Sequence, residues 1–279
     1  LDSRKVRQRI VLFLVLTFLF SAILWSIIVR AGQLDARGQL YTLVLMWCPG
    51  IAALLTTLIA RHDLRELGWK IGPARYLLIS YALPVGYAGI AYGVTWLLGW
   101  GALTMQNVPA GQPLGIFILR NATLLFLLGG LPAALGEEIG WRGFLVPQLA
   151  QVTSFANVAL ISGAIWAAWH YPLILFADYH TDTPRWFALL CFTVLIVGIS
   201  FAFAWLRLRS GSLWTAAILH GSHNIFVQSI FDPLTRNTGL TSYITTEFGI
   251  GLAVMAVIVA LFFWQRRSAL PVLPAKMER

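Results

Sequence analysis

Long apolar stretches separated by short polar turns dominate the pattern of this chain. Eight of them run roughly over residues 10–30, 40–60, 76–100, 114–136, 154–177, 186–206, 212–231 and 247–265. A helix that crosses the hydrocarbon core of a bilayer needs about 20 apolar residues. The pattern therefore predicts eight transmembrane helices, spans 1 to 8, with span 4 continuing as a helix to roughly residue 149. Pro84, Pro132, Pro147 and Pro172 lie within or near spans. Prolines are tolerated there because neighbouring helices re-satisfy the freed backbone groups. No connection is long enough for a second domain, so residues 1–279 are expected to form a single integral membrane domain.

Composition agrees with that class. The 279 residues are 58% hydrophobic and 11% charged, whereas a soluble domain carries about 25% charged residues. The expected fold is all-α and polytopic, with about eight helices around a conical polar chamber inside the membrane. The net charge of +9 does not point to nucleic acid, because the basic residues flank the spans. Arg4, Lys5, Arg7 and Arg9 precede span 1; Arg61, Arg65, Lys70 and Arg75 lie between spans 2 and 3. Arg207 and Arg209 follow span 6, and Arg266, Arg267, Lys276 and Arg279 follow span 8. With eight spans these groups share one side, and the positive-inside rule places both termini in the cytoplasm. Cys48 and Cys191 fall in apolar runs and read as buried thiols.

Few ionisable side chains remain inside the spans: Glu137, Glu138 and Arg142 on span 4, His170 on span 5, and His220 and His223 on span 7. Asn224 joins them as an amide. A carboxylate at the centre of a span costs about 2.5–3.5 kcal/mol on insertion scales, and two adjacent ones also repel. Helical spacing sorts the groups into faces. Glu138 and Arg142 are i,i+4 and can pair, while Glu137 points about 100° away. His220 and Asn224 share a face, with His223 on a neighbouring stripe. Trp166 lies one turn before His170. At the helical rise, Glu137 sits about 18 Å from the cytoplasmic end of its helix, His220 about 12 Å and His170 about 24 Å. Within the uncertainty of helix ends, three helices bring polar groups to one layer.

A carboxylate and a histidine can activate water as a general-base pair. A second histidine and an amide can donate to a tetrahedral oxyanion. Alternatively, Glu137, His170 and His220 could bind zinc with a position open for water. Residue types alone leave both mechanisms open.

The ordered motifs EExxxR (Glu137, Glu138, Arg142), an aromatic four residues before a histidine (Trp166, His170) and HxxxN (His220, Asn224) resemble the CPBP family. These are the bacterial relatives of the type II CAAX prenyl endopeptidase, the Ras-converting protease. That family usually has Phe where this chain has Trp166. The resemblance covers roughly residues 114–231. It implies an intramembrane endopeptidase in a bacterial inner membrane that cleaves near the C-terminus of a lipidated, CAAX-like protein; because most bacteria lack prenylated CAAX proteins, the expected substrate is an unidentified membrane or secreted peptide, of which a lipidated one is one kind. It further implies that Glu137 and His170 activate water, that His220 and Asn224 form the oxyanion site, and that Glu138 and Arg142 orient and charge-balance Glu137. The family is often labelled metalloprotease; a metal-free glutamate mechanism is preferred here because no HExxH spacing exists. The expected chamber opens toward the cytoplasmic half. The competing classes are a non-catalytic membrane protein, such as an immunity or assembly factor, and a proton-coupled transporter. A transporter would be expected to show related halves, and none is visible.

Overall fold

A computed structural model describes residues 2–31, 36–177, 179 and 182–271, without the side chains of 36–39. Eight long helices form the bundle. They are α1 (Ser3–Ala31), α2 (Ala36–Ile59), α3 (Ala74–Leu97), α4 (Leu114–Ala150), α5 (Phe155–Phe176), α6 (Arg185–Ser210), α7 (214–231) and α8 (Ile250–Gln265). The only strands among the described residues are β1 (Gly101–Leu103) and β2 (Thr235–Asn237), paired antiparallel with Gly101 opposite Asn237.

The punctuation of the chain explains the helix ends. Pro73, Pro113 and Pro184 stand immediately before α3, α4 and α6, where a missing N–H costs no intrahelical bond. Ser154 caps α5, its side chain accepting from Asn157 N. Gly211, at φ 70°, closes α6 through its N–H to the Arg207 carbonyl, a left-handed conformation that glycine adopts without a Cβ penalty.

Among the described residues, seven helices are long and apolar enough to cross a membrane, each matching a predicted span. The eighth predicted span, α7, is helical but falls outside that set. His220, Ser222, His223, Asn224 and Gln228 lower its apolar content. Its lipid contact is correspondingly small: α7 lies against α3, α4 and α6, and Thr215, Leu219, His220, Ser222 and His223 are buried. Polar residues are tolerated there because they face protein and a cavity rather than lipid.

Close packing fixes α4 against α2. A Cβ on Gly136 would lie 2.7 Å from Trp47, and one on Gly140 2.5 Å from Pro49. The small-residue pair therefore seats a helix directly beside the glutamates. Large apolar side chains such as Val11, Ile23, Leu119, Leu128 and Val254 stay exposed on the outside of the bundle, as a lipid-facing surface requires.

Candidate active site

Three helices supply the polar layer, and two of them change their winding beside it. α4 carries Glu137 and Glu138 at the end of an α-helical segment, then widens over Ile139–Leu145, where Val146 N bonds the Trp141 carbonyl five residues back. α7 carries His220 and Asn224 in its α-helical part and widens over Ile225–Phe231, with Asp232 N on the Val227 carbonyl at 3.0 Å. Such π-type turns recur near functional sites.

The two glutamates are both buried, at 1% and 0% exposure, yet they have different partners. Glu138 Oε1 accepts from Arg142 Nη1 at 2.8 Å and lies 2.9 Å from His220 Nδ1. Glu137 Oε2 accepts from the indole N–H of Trp166 at 2.7 Å and of Trp141 at 3.3 Å. Its Oε1 has no partner among the described residues, and Glu137 lines a cavity. The i,i+4 pair is the one the spacing predicts. No hydrogen bond among the described residues joins Arg142 to Glu137: the roughly 100° between adjacent helical positions turns Glu138 toward α7 and Glu137 toward α5. The hydrogen bonds that hold Glu137 come from two indoles, and the Arg142 guanidinium acts on it through charge.

Arg142 is equally enclosed. Its guanidinium carbon sits 4.0 Å from the Trp166 ring centre and 3.9 Å from that of Phe203. Stacking on both faces suits a weakly hydrated planar cation that has left water.

His170 Nδ1 lies 2.9 Å from the Trp166 carbonyl. A carbonyl only accepts, so Nδ1 carries the proton and the neutral ring keeps a free lone pair on Nε2. His220 Nδ1 likewise faces an acceptor, Glu138, which leaves Nε2 for another contact. His170, His220 and Asn224 line the same cavity as Glu137. Its volume of about 130 Å³ holds several waters, each needing about 10–15 Å³ on this measure. Leu45, Leu173, Phe192, Ile196 and Ile199 form an apolar wall.

The remaining wall was not anticipated. Glu247 accepts from Tyr179 Oη at 2.9 Å and Gln228 Nε2 at 3.0 Å, and lies 3.0 Å from His223 Nε2. His223 Nδ1 in turn bonds Tyr87 Oη. Tyr179 stacks on the His170 ring, with centres 6.2 Å apart. The available signal was Glu247 itself, an acid at the first residue of a predicted span.

The cavity runs the other way from the expected one. Its lining comes from the start of α2 (Leu45), the residue beyond α5 (Tyr179), the end of α7 (Gln228) and the segment before α8 (Glu247). All of these lie toward the helix ends opposite the basic ones. At the basic end Arg207, 6% exposed, donates to the carbonyls of Arg142 at 2.9 Å and Glu66 at 3.3 Å.

Among the described residues, no three His, Cys, Asp or Glu side chains converge to hold a metal ion. Glu137 Oε2 and the Nδ1 atoms of His170 and His220 are committed to protein partners.

Comparison with known proteins now adds to this geometry. Residues 119–226 match the sequence profile of the type II CAAX prenyl endopeptidase Rce1-like family. The chain is 26% identical over 271 residues to CAAX prenyl protease 2 of Methanococcus maripaludis, covering 89% of this chain and 92% of that relative. All seven residues of the three motifs lie within the matched segment.

Proposed function

We propose, from the Rce1-like, type II CAAX prenyl endopeptidase domain that this membrane protein carries, that it hydrolyses a peptide bond of a membrane-associated substrate with a water activated by Glu137 and His170. One observation carries this reading. Glu137 has one carboxylate oxygen fixed by two indoles, while the other has no partner among the described residues and the side chain lines a cavity shared with His170, His220 and Asn224.

In this mechanism a water sits between Glu137 Oε1 and the bare Nε2 of His170. As its oxygen bonds to the scissile carbonyl carbon, its proton passes to Glu137. The carbonyl oxygen becomes an oxyanion that accepts from the Asn224 amide and from Nε2–H of His220, charged by its pairing with Glu138. One such donor is worth about 10²–10³ in turnover. The C–N bond then breaks, and the proton held by Glu137 goes to the leaving nitrogen. No step needs a metal.

The apolar wall of the cavity suits a segment that is partly in lipid. With the relatives' description as CAAX prenyl endopeptidases, this supports a lipidated, CAAX-like substrate. The test is cleavage of lipidated and unlipidated CAAX-type peptides by the purified protein in nanodiscs, beside Glu137→Gln, with metal content measured on the same preparation. Cleavage by wild type and none by the variant is expected. Equal cleavage by both would overturn the reading.

A further inference from the structure

Trp166 touches Glu137, Arg142, His170 and His220. Its indole N–H donates to Glu137 Oε2 at 2.7 Å, and its face covers the Arg142 guanidinium at 4.0 Å. Its ring packs edge-on against His220, with centres 5.3 Å apart. Its carbonyl accepts from His170 Nδ1 at 2.9 Å. The side chain is 2% exposed. The stacking on Arg142 needs only an aromatic ring, and the backbone contact to His170 needs no side chain. The bond to Glu137 needs a nitrogen donor, which the Phe usual at this motif position lacks.

We propose that Trp166 is a positioning residue that aims the base: its indole N–H, seconded by that of Trp141, clamps Glu137 Oε2 and so directs Oε1 at the water. This inference rests on Glu137 acting as the general base. A carboxylate held through one oxygen has a fixed plane and a defined free oxygen, whereas one without the clamp rotates about its last torsion. A displacement of about 1 Å in a reacting group can cost about 10²-fold in rate. The long indole contact of Trp141, at 3.3 Å, makes it the weaker partner. Trp166→Phe keeps an aromatic ring beside Arg142 and removes the donor, along with part of the indole's volume.

The experiment compares wild type, W166F, W141F and E137Q in detergent or nanodiscs. Peptide kinetics, thermal midpoints and the indole N–H proton resonance of Trp166, assigned by its loss in W166F, are recorded. Expected for W166F is a fall in kcat of about 10- to 100-fold with KM changed less than about twofold, beside a thermal midpoint lowered by the lost ring volume. W141F loses less. The assigned indole resonance shifts in E137Q, because its acceptor changes from carboxylate to amide oxygen. An unchanged kcat in W166F while E137Q is inactive overturns the clamp, as does a loss of kcat, binding and stability together with no resonance shift in E137Q. If W166F fails to fold, the Trp166 resonance is assigned by its loss in W166Y, and its shift in E137Q decides. An active E137Q instead overturns the proposed base, and is a separate outcome.

Discussion

His220 reaches from α7 to α4 and places Nδ1 2.9 Å from Glu138 Oε1, the same oxygen that accepts Arg142 Nη1 at 2.8 Å. One carboxylate oxygen thus balances a buried guanidinium and orients an imidazole from another helix. Glu138→Gln removes the charge from both. Breaking one side of a buried ion pair costs about 3–5 kcal/mol. Thermal unfolding in detergent should show a clear drop in midpoint, and peptide turnover should fall with it. A variant as stable as wild type would mean that Glu138 does not hold these helices together.

Glu247 with His223 forms the second buried pair, at 3.0 Å. Glu247→Gln should destabilise by about 3 kcal/mol, because His223 and the surrounding donors lose their common acceptor. Combining it with His223→Asn should recover part of the loss, since the two residues share one interaction. Strictly additive effects in a double-mutant cycle of thermal midpoints would contradict this coupling.

The polar wall at the end opposite the basic residues predicts where solvent enters. Gln228 is exposed and lines the cavity toward the end of α7. Gln228→Cys should react with a membrane-impermeant maleimide only from the side opposite Arg65, which lies in the α2–α3 connection. Labelling of Q228C and R65C from the same side would contradict the described direction. Labelling of R65C from the outside would reverse the orientation inferred from the basic residues.

Asp232, just past α7, supplies a pH dependence. Burial pushes its carboxyl up to about 7, with Glu247 adding to the rise and the hydrogen bond from Tyr92 opposing it. The folded protein keeps this proton until near neutrality, whereas the unfolded chain releases it above about 4. Its contribution to stability is therefore fully present below the unfolded value and is lost as pH rises toward 7. Asp232→Asn should flatten the fall in thermal midpoint between about pH 4 and pH 7. Parallel pH profiles for wild type and D232N would contradict the assignment.

Sequence patterning carried the bundle and much of the polar layer. Apolar length located the helices, and the i,i+4 spacing of Glu138 and Arg142 found the ion pair. The depth argument put His220 in the layer of the glutamates, and it touches Glu138. Other features have no one-dimensional signature. The spacing of Trp166 to His170 shows that they share a face, but not that the indole reaches a carboxylate on another helix. Glu247 sits at the edge of its apolar run and resembles an interfacial charge. The widened turns after Glu138 and Asn224 leave no compositional trace. Counting residues along a helix gives a depth but not the burial of Arg207, which bonds the Arg142 and Glu66 carbonyls although on sequence grounds it is one of the flanking cations that set topology.

Glu137 as the base is tested most directly by Glu137→Gln in a cleavage assay with a folding control. Glutamine keeps the size of the side chain and an oxygen that the indoles of Trp166 and Trp141 can still bond, so the thermal midpoint should stay close to wild type. Turnover of a lipidated peptide should fall by about 10²–10⁴-fold or more, the usual share of a general base. A folded E137Q protein that cleaves the peptide at the wild-type rate would contradict the account.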